Sequence, residues 1–285
     1  MPATIARRSF LAAPLLALPA SADDAASRLA ELERRNGGRL GVAALDTASG
    51  RRVAHRAEER FPLCSTFKFL AAGFVLARVD RGEEKLDRRV VFAEKDLVTY
   101  SPVTKDHVGP GGMTMAEICD AAVTLSDNTA GNLMFASFGG PAGLTSYARS
   151  LGDRATRLDR IETELNEAKP GDPRDTTTPV AMVGTMQRLL IEDSLSAVSR
   201  DRLIGWLVAS KTGARRVRAG LPADWRVGDK TGTGNNGTAN DVAIAFPPGR
   251  APILITAYYT ESTISDDARN TVIAEAARLA AAGLA

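Results

Sequence analysis

The sequence predicts an α+β fold, α/β in the broad sense: an antiparallel sheet flanked by terminal helices, with an all-helical part inserted between its strands. Three observations carry this. Strand-like runs fall only towards the two ends, at 40–45 and 51–56, then at 225–233, 241–246 and 253–260. Helical patterns fill the long stretch between them. A further helical pattern lies outside the strands at each end. Strands and helices that come in separate runs belong to this class.

Each element has its own signal. Residues 24–36 read as an amphipathic helix with Ala25, Leu29 and Leu32 on one face, stopped by Gly37-Gly38. The runs 40–45 and 51–56 are joined by Asp46-Thr47-Ala48-Ser49-Gly50, a hairpin signal. Residues 69–77 are apolar on every side, so the helix that follows Ser65 is a buried one. Thr114-Met115-Ala116-Glu117 is a capping-box sequence, with apolar residues running on to Leu125. Ser126-Asp127-Asn128 breaks that helix, and another runs to about Phe138. Residues 154–177 show no helical period and are rich in Asp, Arg, Pro and Gly. Such a long ordered loop in a compact domain is usually functional. Thr178-Pro179 opens the next helix as N-cap and first residue. Ser199 is expected to cap one more, running to Ala209. Pro247-Pro248-Gly249-Arg250 turns between the last two strands, and 266–279 closes the chain as an alanine-rich helix.

The first 22 residues read as an export signal. Arg7-Arg8 precede an apolar run from Phe10 to Leu18, and Ala20-Ser21-Ala22 offers a cleavage site. Arg7-Arg8-Ser9-Phe10-Leu11 resembles a twin-arginine signal; an ordinary secretory signal is the alternative. The expected protein is therefore periplasmic or secreted, with no membrane insertion after signal removal. Those two arginines account for the formal net charge of +2 over the 285 residues, and the rest is balanced. A balanced chain gives no electrostatic case for nucleic acid. The protein is expected to be a monomer. Cys64 and Cys119 are the only cysteines, and two free, buried thiols are expected rather than one disulfide.

Four polar groups carry chemistry. Ser65 and Lys68 are three apart, so they share a helix face in a partly dry place. Burial disfavours the charged amine, which then needs partners or serves as a base. Alone, this spacing is as well read as a capping serine and a snorkelling lysine. Ser126-Asp127-Asn128 lies on a helix break, Lys230-Thr231-Gly232 on a strand, and Glu162 with Asn166 in the long loop. Each alone is an ordinary cap or solvated side chain. Other signals fail: residues 232–237 match a dinucleotide-binding glycine pattern, but a strand follows where a helix is required. His55 and His107 lack metal-ligand spacing and any partner serine elbow.

Together, in this order, these motifs make the chain resemble a class A serine β-lactamase over essentially the whole mature sequence. The family sits within the penicillin-binding, DD-peptidase-like serine acyltransferases. The resemblance implies a sheet domain of 23–57 with 210–285, a helical domain of 58–209, and an active site between them. The loop at about 157–175 resembles the family's Ω loop, its ends tied by Arg160 and Asp175. Ser65 is then the nucleophile, and its base is Lys68 or Glu162 acting through a water. Ser126 passes a proton to the departing ring nitrogen, and Lys230 keeps the site positive. The backbone N–H groups of Ser65 and Thr233 form the oxyanion hole. Asn128 holds the substrate's side-chain amide, and Tyr100 walls the cleft. Thr231, Thr233 and Arg216 hold the substrate carboxylate along a strand that includes Gly232. Arg216 takes this role because Ala239 stands where many members carry an arginine. Glu162, with Asn166, is the base for deacylation. The expected substrates are β-lactams, penicillins and cephalosporins, whose hydrolysis confers resistance; no cofactor and no metal are implied. The resemblance implies no disulfide for either cysteine. The partner position of Cys64 in carbapenem-hydrolysing members is Gly234 here, and that of Cys119 in other members is Ala72. Two alternatives share the serine chemistry. A DD-peptidase lacks the Glu162–Asn166 pair, and a sensor that stays acylated normally needs a membrane segment.

Overall fold

The computed structural model describes residues 22–285; the stretch read as an export signal lies outside them except for Ala22. In chain order the elements begin with α1 (Ala22–Asn36), β1 (Arg39–Asp46), β2 (Arg52–His55), β3 (Phe61–Pro62) and α2 (Phe67–Asp80). Then come β4 (Arg89–Phe92), β5 (Gly109–Thr114), α3 (Met115–Thr124), α4 (Asn128–Ser137), α5 (Gly140–Ser150) and β6 (Thr176–Thr177). The chain ends with α6 (Pro179–Leu190), α7 (Ala197–Val208), α8 (Val217–Gly220), β7 (Arg226–Gly234), β8 (Thr238–Phe246), β9 (Ile253–Thr260) and α9 (Asp266–Ala282).

The predicted fold class holds, but the inserted part is not all-helical: it also carries two short two-stranded ladders, β3 with β6 and β4 with β5. One five-stranded antiparallel sheet runs β2-β1-β9-β8-β7, so the two ends of the chain meet where β1 pairs with β9. Both faces of its central strands are covered, and successive side chains alternate between two cores. Leu40, Val42 and Ala44 of β1 pack with Ile253, Ile255 and Tyr259 of β9 against α1 and α9. Ala43, Leu45, Val242, Leu254 and Tyr258 face the helical side, with α2 at its centre. Gly37 and Gly38, both at φ near +69°, end α1 and turn the chain into β1. No helix among the described residues is long and apolar enough to cross a membrane.

Several local expectations need correcting. Ser196, not Ser199, caps α7: its Oγ accepts the Ser199 N–H at 3.2 Å. Ser199 sits three residues on and donates its own hydroxyl to Asp80 at 2.6 Å, which also binds Ser196. Helix α5 has no counterpart among the predicted elements, because Gly139-Gly140-Pro141 and Gly143 look like a breaker. Gly139 is its N-cap at φ +84°, and Pro141 stands in the first turn, where its missing N–H is harmless. The long segment before α6 is indeed mostly loop, holding one 3-10 turn at Glu164–Asn166 and the short pairing of β6 with β3. Residues 232–237 form the end of β7 and the turn into β8. Cys64 and Cys119 are free and buried.

Candidate active site

The site begins where a 3-10 turn at Cys64–Thr66 runs straight into α2. That places Ser65 at the helix entrance and Lys68 one turn inside, on the same face. Ser65 Oγ is 3.0 Å from Lys68 Nζ and 3.1 Å from Glu162 Oε1, to which it donates. Lys68 Nζ also donates to the Ser126 carbonyl at 2.9 Å and Asn128 Oδ1 at 2.6 Å, and pairs with Glu162 Oε1 at 2.8 Å. Both charged side chains of this pair are fully buried. An ammonium has three protons for these four acceptors, so its donor capacity is saturated. Burial pushes the Lys68 amine below its usual range, against the pull of the Glu162 carboxylate. Gly131 on α4 leaves room for this: a Cβ there would meet Lys68 Cε at 2.9 Å.

Glu162 reaches the site from the long loop. Asn166, on the 3-10 turn, donates Nδ2 to Glu162 Oε2 at 2.5 Å, while its Oδ1 is buried without a protein partner. Glu164, between them, is exposed. The ends of the loop are tied at Asp175, whose Oδ2 meets Arg160 Nε at 2.6 Å and whose Oδ1 accepts the N–H groups of Asp159 and Arg160. The Asp175 carbonyl in turn accepts the Leu63 N–H at 2.8 Å, two residues before Ser65. The Asn166 carbonyl accepts the Asn235 N–H at 2.9 Å, which fastens the loop to the β7–β8 turn.

Opposite, Lys230 on β7 donates to Ser126 Oγ at 3.0 Å and to the Thr231 carbonyl at 2.8 Å. Burial first, and the Lys68 charge second, push its amine down to about 7. Thr231 and Thr233 lie on the same strand face. Ser65, Tyr100, Ser126, Asn128, Asn166, Arg216, Thr231 and Thr233 line a cleft of about 380 Å³, with Tyr100 exposed at its mouth. Gly232 lies beneath it, buried against Cys64 and Thr66. Cys64, Tyr100, Ser126 and Asp175 all have φ between +44° and +64°. Strain of this kind persists only where the surroundings hold it, and it collects at functional sites.

The Arg216 guanidinium is almost fully committed to neutral acceptors. Nε donates to Asn270 Oδ1 at 2.8 Å, and Nη1 to the carbonyls of Gly232 (2.7 Å) and Asn240 (2.8 Å). Nη2 donates to Thr233 Oγ1 at 2.8 Å. One N–H remains for a ligand. No carboxylate among the described residues forms an ion pair with it. The nearby Asp241 is pushed well above the usual carboxylate range by burial and then by the Asp229 charge. A half-buried cation whose direct partners are all neutral is a ready place for an anion.

Asn132 was not singled out in the sequence, and Asp127 was named there only as the middle of its triplet. Asn132 exchanges two hydrogen bonds with the Glu162 peptide, accepting its N–H at 2.8 Å and donating to its carbonyl at 2.9 Å. It lies four residues after Asn128 on α4, so helical spacing alone could have found it. Asp127 caps α4 at Ala130 and also accepts the N–H groups of Val103 and Thr104, which fixes the Tyr100 side of the cleft. Of the two histidines, His55 pairs with Glu33 at 2.5 Å and His107 is exposed, both away from the cleft.

A model described as the beta-lactamase enzyme family matches residues 24–284. The AST-1 β-lactamase of Nocardia asteroides is 54% identical over 252 residues, covering 88% of this chain and 81% of that protein. The CTX-M-8 β-lactamase of Citrobacter amalonaticus is 46% identical over 266 residues, covering 93% and 91%. A solved ancestral class A β-lactamase superposes with a TM-score of 0.88 at 65% identity, over 90% of this chain and 98% of that one.

Proposed function

The chain belongs to the class A β-lactamase family and hydrolyses β-lactams, a reaction we propose it carries out on penicillins and cephalosporins through an ester on Ser65. The observation that supports this route is the buried triplet of Ser65, Lys68 and Glu162, with the hydroxyl 3.0 and 3.1 Å from the other two. Ser65 Oγ attacks the lactam carbonyl and gives its proton to Lys68 or Glu162, both in reach. The C–N bond breaks, and Ser126 protonates the ring nitrogen, backed by Lys230. The backbone N–H groups of Ser65 and Thr233 receive the oxyanion; one such donor is typically worth about 100- to 1,000-fold in rate. A water held by Glu162 and Asn166 then attacks the ester, Glu162 takes its proton, and the Ser65 oxygen leaves as that proton is returned to it. Asn128 receives the substrate's side-chain amide, and Tyr100 walls the cleft. The Arg160–Asp175 tie holds the loop that carries Glu162.

Purified protein is expected to hydrolyse the chromogenic cephalosporin nitrocefin through many turnovers per chain. A single stoichiometric burst would instead fit an acylated DD-peptidase or sensor and defeat the proposed deacylation.

Thr231, Thr233 and Arg216 hold the substrate carboxylate in this reading, with Gly232 shaping the strand beneath. A charge-assisted contact of this kind is worth about 1.5–3 kcal/mol. Arg216→Ala is therefore expected to lower penicillin kcat/KM by roughly 10- to 150-fold. Arg215 is the control: it is largely exposed and pairs with Asp267 at 2.7 Å, where surface pairs contribute little. Equal, small losses in both variants would remove Arg216 from the carboxylate site.

We also propose the division into 23–57 with 210–285 and 58–209, since β1, β2 and β7–β9 with α1 and α9 fall in the first and α2–α7 in the second. Export outside the cytoplasm is supported by the Arg7-Arg8 signal. A cleft complete within one chain supports a monomer, and the balanced charge supports the absence of a nucleic-acid partner.

A further inference from the structure

Resting on the carboxylate site just described, we propose that Thr212 is a positioning residue that turns the Thr231 hydroxyl towards the substrate. Thr212 lines the cleft beside Thr231. Its Oγ1 is 2.7 Å from Thr231 Oγ1, and either hydroxyl can donate. On its far side Thr212 lies 3.5 Å from Ser210 Oγ. Ser210 donates to Asp229 Oδ2 at 3.1 Å, and Asp229 is fully buried. Three hydroxyls thus lead from a buried carboxylate to the floor of the cleft.

Each hydroxyl has one proton, so the series has a direction. Asp229 is acceptor-only and fixes Ser210 as its donor. With the cleft empty, Thr231 can donate to Thr212, and Thr212 towards Ser210. A substrate carboxylate is also acceptor-only, so on binding Thr231 must donate outwards. Its link to Thr212 then survives only if Thr212 becomes the donor. The contact Thr212 gives up for this, at 3.5 Å, is longer than an ordinary O–H···O bond, so little opposes the reversal. Thr231 without Thr212 would give its proton to the ligand with its own lone pairs facing a partly buried wall. Thr212 does not touch the reacting atoms; it acts through Thr231.

The test compares Thr212→Val, which keeps the shape and removes the hydroxyl, with Thr212→Ser, which keeps it. The dissociation constant of benzylpenicillin is measured by calorimetry in Ser65→Ala protein, which cannot form the ester, so the result does not depend on turnover. One neutral hydrogen bond corresponds to roughly a 3- to 10-fold change. Thr212→Val is expected to weaken binding by about that factor, with an unchanged melting temperature, and Thr212→Ser is expected to restore it. In protein that keeps Ser65, the same change should appear in KM and leave kcat in place. Binding unaltered by Thr212→Val, or a loss that Thr212→Ser does not repair, would overturn the proposal. Turnover by the unaltered protein separately tests the Ser65 reading.

Discussion

Glu162→Ala protein mixed with a good penicillin is expected to gain the mass of one drug molecule on Ser65 and to hold it for minutes to hours. Acylation alone makes a dead enzyme, because an ester on a buried serine is slow to hydrolyse unaided. Base catalysis by a positioned carboxylate is worth about 100- to 10,000-fold, and the variant loses that factor in the second step. The geometry singles out one carboxylate. Glu162 is buried at 2% exposure, with Ser65, Lys68 and Asn166 around it and Asn132 gripping its peptide on both sides. Glu164 is in the same loop, two residues away, and points to solvent. Glu164→Ala is therefore the internal control and should turn over normally. The measurement is intact mass against time, with the modified peptide identified. Near wild-type turnover by Glu162→Ala would transfer the deacylation role to Lys68.

Why was so much of this legible in the chain itself? Residues close in sequence carry their geometry with them. Ser65 and Lys68 are one helical turn apart, and an apolar run follows them, so both their proximity and their burial could be read. Glu162 and Asn166 are four apart, and a single 3-10 turn brings them together. The sheet was readable because β1, β8 and β9 are apolar on alternating faces that two cores later fill. Contacts that depend on the tertiary fold had no such signature. Thr212 meets Thr231 only because the segment before α8 lies along β7. Asn270 meets Arg216 across 54 residues, from a helix whose pattern says only that it is alanine-rich. Helix α5 escaped because Gly139 and Gly140, which supply positive φ, and Gly143, which lets the Phe138 carbonyl approach, look in sequence like glycines that end a helix.

Lys68→Met is expected to abolish efficient acylation and also to destabilise the fold, and the second effect identifies the cause. Lys68 and Glu162 form an ion pair at 2.8 Å with no exposure on either side chain. Removing one partner leaves a buried carboxylate without its cation, which typically costs about 3–5 kcal/mol. In a chain of this size that corresponds to a fall of roughly 10 °C in Tm. Asn166 still donates to Oε2, but the Oε1 that faced Lys68 keeps only the Ser65 hydroxyl. A buried pair replaced on both sides by apolar groups of similar volume is often neutral. Lys68→Met/Glu162→Leu should therefore recover most of the lost Tm while remaining inactive. The coupling between two residues in contact is what a double-mutant cycle measures. Thermal unfolding of the four proteins reads it directly. A double variant that loses stability by the sum of the two single losses would show that Glu162 is not held in place by the Lys68 charge.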